Sequence, residues 1–128
     1  KPMTYRILVV DDNEMNLTLI SKILGLDGYQ VILAGNGQEA IQTYMQQTPD
    51  LTVLDVMMPD MNGFDLCRKL REPPVNAVGP IIMLTALNSE IEKQHALNAG
   101  ANDIWSKPFD MGLFRQKIRE LLGSAAGS

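Results

Sequence analysis

A single cysteine, a single histidine and a single tryptophan occur among 128 residues. The lone Cys67 cannot form an internal disulfide, so a reducing, cytoplasmic setting is the expected one. With one His95 and one Cys67, any bound cation should be a hard one that takes oxygen ligands. Positive charge is scarce: 11 Lys and Arg stand against 15 Asp and Glu, a net charge of −4, which argues against a direct nucleic-acid footprint. No apolar run approaches the roughly 18 residues that span a bilayer, and no basic stretch followed by an apolar one opens the chain. The expectation is a soluble chain without a membrane partner. A G-x-x-x-x-G-K-[ST] loop is also missing, so NTP hydrolysis is not supported.

The 45% apolar and 20% charged residues are those of an ordinary globular chain, and this length suits one domain with one core. Short apolar runs rich in β-branched residues alternate with segments of helical period. Strands are expected at 6–10, 30–34, 51–55, 81–85 and 103–106. The runs at 6, 51 and 81 are continuously apolar, as in strands covered on both faces. Asn36 with Glu39, and Ser89 with Glu92, have the spacing of a helix cap and its partner acid. Ala40, Ile41, Tyr44 and Met45 form one expected packing face, and Phe114, Ile118, Leu121 and Leu122 another. "REPPVNAVGP" (71–80) reads as the main irregular loop. This is an α/β pattern, a doubly wound, mostly parallel sheet. Residues 4–122 are the expected domain, and the small residues of 123–128 read as a linker or tag-like tail. Lys1-Pro2 ahead of Met3, with that tail, suggests a piece from the N-terminal side of a longer protein.

In such a sheet ligands gather at the carboxyl ends of the strands, near the point where the winding reverses. Asp11-Asp12, Asp55, Thr85 and Lys107 all fall at expected strand ends. Three carboxylates brought together raise one another's pKa unless a cation neutralises them. A divalent, oxygen-seeking cation is therefore implied, with Mg²⁺ as the default. Lys107 adds a point charge for a phosphoryl oxygen and Thr85 a neutral donor. Those parts suit phosphoryl transfer with an aspartate as nucleophile. Each residue also has a plainer explanation. Asp11-Asp12 could cap the first helix, Asp55 could be a turn residue, Thr85 a strand end and Lys107 a solvated charge. It is their joint placement that singles them out.

The stretches "ILVVDDNEMN", "PDLTVLDVMMPDMNG", "PIIMLTA" and "NAGANDIWSKPF", with the final amphipathic helix, resemble the receiver domain of two-component response regulators from about Arg6 to Leu122. The resemblance implies a flavodoxin-like sheet of five parallel strands in the order 2-1-3-4-5 with five flanking helices. It also implies a phosphorylation-driven switch. Asp55 would accept a phosphoryl group from a sensor histidine kinase or histidine phosphotransfer protein. Asp12 and Asp55 would ligate Mg²⁺, Asp11 would support it largely through water, and the Met57 carbonyl would supply a further ligand. Lys107 would contact the phosphoryl group, Thr85 would move toward it, and small Ala86 would leave access. Pro108 would follow a cis peptide bond. By the same resemblance such a domain promotes its own phosphorylation and dephosphorylation but is not a turnover enzyme.

One position departs from the family's pattern. Where a Tyr or Phe usually stands three residues before the lysine, this chain has Ile104, with Trp105 one residue later. Neighbouring strand residues face opposite sides, so Trp105 replaces that aromatic only if the strand bulges. The expected output surface is 89–122, which in the family forms homodimers or docks an output domain or effector. The kinase is expected to read 14–21 and the loop after Lys107. Met57 and Leu87 should flank the phosphoryl group and slow attack by water. Two other readings remain at this stage. A pseudo-receiver would keep the fold as an interaction module without the chemistry, but no site residue is missing. An aspartate-nucleophile phosphatase would want a second aspartate two residues after the first, where this chain has Met57.

Overall fold

Strands and helices alternate without exception along residues 4–86 and 89–125, the parts of the chain that the computed structural model describes. The order is β1 (Arg6–Val10), α1 (Glu14–Gly25), β2 (Gln30–Ala34), α2 (Gly37–Gln47), β3 (Leu51–Asp55), α3 (Gly63–Arg71), β4 (Ile81–Thr85), α4 (Glu90–Ala99), β5 (Asp103–Ser106) and α5 (Met111–Ala125). All five strands occupy the residues expected of them. They pair in parallel in the order β2-β1-β3-β4-β5, as the resemblance implied.

The two faces of the sheet are packed by different helices. Leu8, Val10, Leu54, Ile81, Met83 and Ile104 point toward residues of α2, α3 and α4, among them Ala40, Tyr44, Leu66, Leu70 and Ala96. Their strand neighbours Ile7, Val9, Leu51, Val53, Ile82 and Leu84 point the other way, onto Leu17, Ile20 and Leu24 of α1 and Phe114, Ile118 and Leu122 of α5. Burial on both sides explains why β3 and β4 carry no exposed residue at all. The winding reverses beside β1, whose neighbours are β2 and β3, so the ends of β1 and β3 form the crevice where a doubly wound sheet binds ligands.

Helix starts are capped by side chains. Asn36 Oδ1 accepts the Glu39 N–H at 2.8 Å and Ser89 Oγ the Glu92 N–H at 3.3 Å, as the spacing suggested. Asn13 caps α1 by accepting the Asn16 N–H at 3.1 Å, so the cap lies one residue beyond the Asp11-Asp12 pair.

Three expectations change. Met45 is half exposed, because the apolar stripe of α2 narrows at its far end to Tyr44. Arg71 is the last residue of α3, not the first of the loop. Its guanidinium reaches back to the carbonyls of Ala77, Gly79 and Gly100. Helix α5 also continues past Leu122 into the small-residue tail as far as Ala125, while 126–128 lie outside the described residues. Cys67 is fully buried, and burial pushes its thiol up to about 11, which keeps it protonated at neutral pH.

Candidate functional site

Parallel register does most of the assembly. Val10 pairs with Leu54, so the next residues, Asp11 and Asp55, emerge level with each other from adjacent strands. Asp55 pairs with Leu84, and Thr85 with Ser106, so Thr85 and Lys107 leave the sheet one step further on. Four of the five strands thus deliver polar residues to one end of an apolar sheet.

There the carboxylates of Asp11, Asp12 and Asp55 each place an oxygen within 4.8 Å of the others. Asp11 and Asp55 are buried and Asp12 is exposed. Lys107 Nζ stands 3.2 Å from Asp55 Oδ1 and 3.5 Å from Asp11 Oδ2. Burial raises the Asp55 carboxyl above its ordinary 3.8. The Lys107 ammonium pulls it back, and the Asp11 charge pushes it up again. Asp11 is already engaged from two sides, since its oxygens accept the Asn13 N–H at 2.9 Å and the Asn16 side-chain amide at 3.2 Å.

Three carboxylates facing one ammonium leave an excess of negative charge in a partly buried, all-oxygen setting. That donor set fits Mg²⁺, with Asp12 the carboxylate least committed elsewhere. Thr85 is buried at the end of β4 and Ala86 beside it is exposed. The Thr85 carbonyl accepts the Lys107 N–H at 2.7 Å, which fixes where the lysine leaves the strand. Lys107-Pro108 is a cis peptide, as expected, and Pro73-Pro74 is a second one.

The segment after Asp55 is held tightly. The Met57 backbone N–H favours the ionised Asp55 carboxylate, and the Gly63 N–H donates to the Val56 carbonyl at 2.8 Å, closing the loop on itself. A Cβ on Gly63 would lie 2.5 Å from the Asp55 carbonyl oxygen, so only glycine fits. We expect Gly63→Ala to cost roughly 1–3 kcal/mol of stability in urea unfolding and to displace Asp55. An unchanged midpoint would rule this out. The Met57 side chain is 70% exposed at the mouth of the site, whereas Leu87 lies outside the described residues.

At the departing position, β5 has no bulge: Met83 pairs with Ile104 and Leu84 with Trp105 in unbroken register. Ile104 is buried on the α4 side. Trp105 packs on the α5 side against Phe109 and Phe114, and its indole N–H donates to Asp103 at 2.8 Å. Trp105 therefore does not stand in for the missing aromatic.

One residue of the neighbourhood had no sequence signal. Asp60 bonds the start of α2, more than 20 positions away, and neither periodicity nor cap spacing points to such a pair.

Comparison with known proteins agrees with this geometry. The family model for the response regulator receiver domain matches residues 7–119. The alkaline phosphatase synthesis transcriptional regulatory protein PhoP of Bacillus subtilis is 40% identical over 94% of this chain, and response regulator PleD of Caulobacter vibrioides is 39% identical over 93%. The chain spans 49% and 26% of the length of these two relatives. A CheY-like response regulator receiver domain protein from Methanospirillum hungatei superposes with a TM-score of 0.89 at 30% identity, covering 98% of each chain.

Proposed function

We propose, from the premise that this chain belongs to the response regulator receiver domain family, that residues 4–122 form a phosphorylation-dependent switch with Asp55 as phosphoacceptor. The observation that carries the proposal is the Asp55 carboxylate, buried at a strand end, 3.2 Å from the Lys107 ammonium and grouped with Asp11 and Asp12.

In the proposed step an Asp55 oxygen attacks the phosphorus of a phosphohistidine on a sensor kinase or phosphotransfer protein. The P–N bond breaks, its electron pair leaves with the imidazole nitrogen, and an aspartyl phosphate forms. Lys107 holds one phosphoryl oxygen and the Thr85 hydroxyl donates to another, so both groups stabilise the charge spread over the oxygens of the phosphoryl group as it transfers. Bound Mg²⁺, held by Asp12, Asp55 and the Met57 carbonyl with Asp11 behind them, would neutralise the carboxylates and screen the phosphoryl oxygens. Exposed Ala86 leaves the approach open, and Met57 partly shields the product from water.

Thr85 and Lys107 also lead into the output side. Thr85 ends β4 on the way to α4, and Lys107 is the first residue after β5 on the way to α5. A shift of either toward the phosphoryl group changes the surface of α4, β5 and α5, where an output domain, effector or second copy would read it. None of the helices among the described residues is long and apolar enough to cross a membrane. Incubation with a small acyl phosphate and Mg²⁺ should add one hydroxylamine-labile phosphoryl group, mapped by peptide mass to Asp55. No incorporation, or incorporation that survives chelation of Mg²⁺ undiminished, would count against the proposal.

A further inference from the structure

We propose that Asp60 is a positioning residue for the Asp55 site, because its carboxylate clamps the loop between β3 and α3 onto the first turn of α2. Asp60 Oδ1 accepts the Gly37 N–H at 3.0 Å and Oδ2 the Gln38 N–H at 3.1 Å. Next to it, the Met61 side chain fills the space that a Cβ on Gly37 would need, with Cγ 2.5 Å from that point. The tip of the loop is thus docked by a charge-assisted pair of bonds and by an apolar contact together. The Gly37 N–H foremost holds the Asp60 carboxyl below its usual range, as the positive end of a helix favours.

These bonds do more than finish a helix. Helices α1, α3 and α4 start with a single cap from the residue just before them, and α2 has such a cap in Asn36. Asp60 is an additional anchor, reaching from a different loop. That loop is pinched at its base by the Gly63 to Val56 bond, and between base and tip lies Met57, whose backbone N–H favours the ionised Asp55 carboxylate and whose carbonyl is a proposed metal ligand. The segment before α2 is tied to the same site from the other side, since the Ala34 carbonyl at the end of β2 accepts the Asp11 N–H at 3.1 Å. The start of α2 is therefore a common frame for Asp11 on one side and the Met57 segment on the other, and Asp60 closes the circuit.

The inference rests on the reading of this site as a Mg²⁺ site, and its test separates the two. In isothermal titration calorimetry with Mg²⁺ alone, Asp60→Ala should bind about 10-fold more weakly than wild type, the effect expected when an orienting group behind a ligand is lost. Asp60→Asn, which keeps one acceptor oxygen, should fall between them. In metal-free buffer, amide exchange across 57–62 should be faster in Asp60→Ala. Asn36→Ala removes a cap from the same helix end without touching the loop, so it should lower the unfolding midpoint and leave Mg²⁺ affinity unchanged. Equal affinity in Asp60→Ala and wild type, or an equal loss in Asn36→Ala, overturns the assignment alone. A wild type that binds no Mg²⁺ overturns the reading of the site and this inference with it.

Discussion

Asp55→Asn should fold, bind its neighbours as before and take up no phosphoryl group, with labelling by an acyl phosphate at least ~1,000-fold below wild type. The amide is isosteric, and its oxygen can still accept from Lys107, but it cannot attack phosphorus. The same variant should be the more stable one in metal-free buffer. Burial raises the Asp55 carboxyl, so the folded state holds that proton more tightly than the unfolded state does. By linkage, stability is complete below the ordinary carboxylate value and declines as pH rises through the higher, folded one. Other carboxylates work in the opposite sense: Asp27, bonded by Arg115, and Asp60 are both held low. The difference between wild type and variant cancels them. Urea midpoints in EDTA should therefore diverge in favour of Asp55→Asn from about pH 4 upward, and Mg²⁺ should close the gap by binding the folded wild type. Parallel curves without metal would show that ionised Asp55 costs the fold nothing.

Phe114→Ala should lose about 3–5 kcal/mol, a large share of the roughly 5–15 kcal/mol that holds a domain of this kind together. Phe114 is wholly buried where α5 meets the sheet, its ring 4.7 Å from Phe109 and 5.9 Å from Trp105. Truncation leaves a cavity beside the two remaining rings, Trp105 on β5 and Phe109 in the loop after it, so the site cannot collapse cheaply. Phe114→Leu should cost markedly less, since most of the volume remains. Equilibrium urea unfolding measures both, and a loss below ~1 kcal/mol for the alanine variant would mean that α5 is not docked through this residue.

Much of this architecture is written locally. Each strand run is short, apolar and bounded, so the residues 6–10, 51–55 and 81–85 declare themselves, and the caps at Asn36 and Ser89 depend on a spacing of three. The cluster of Asp11, Asp12, Asp55 and Lys107 was legible because strand ends of a doubly wound sheet converge whatever the distance along the chain. Ile104 and Trp105 could be assigned to opposite faces for the same kind of reason, a period of two. What stayed hidden are single side-chain bonds across the fold. Arg71 reaches Gly100, Arg115 forks onto Asp27 with bonds of 2.9 and 2.6 Å, and Asp60 finds α2. Charged residues on helix surfaces and loop tips have no period to betray their partners, and each could equally have been solvated. Met45 failed for a related reason, since a stripe drawn from spacing does not know where the facing sheet ends.

The seam beside Phe114 has a spectroscopic consequence. Trp105 is the chain's sole indole, and it is wedged edge-on against Phe109 and Phe114 with its N–H tied to Asp103. Phe109 follows Lys107 by two residues, and Lys107 touches the Asp55 carboxylate. A backbone shift at Lys107 that carried Phe109 with it would alter the surroundings of the indole. Trp105 emission, recorded with and without an acyl phosphate and Mg²⁺, should therefore change if that junction moves, and an unchanged spectrum would show that it does not.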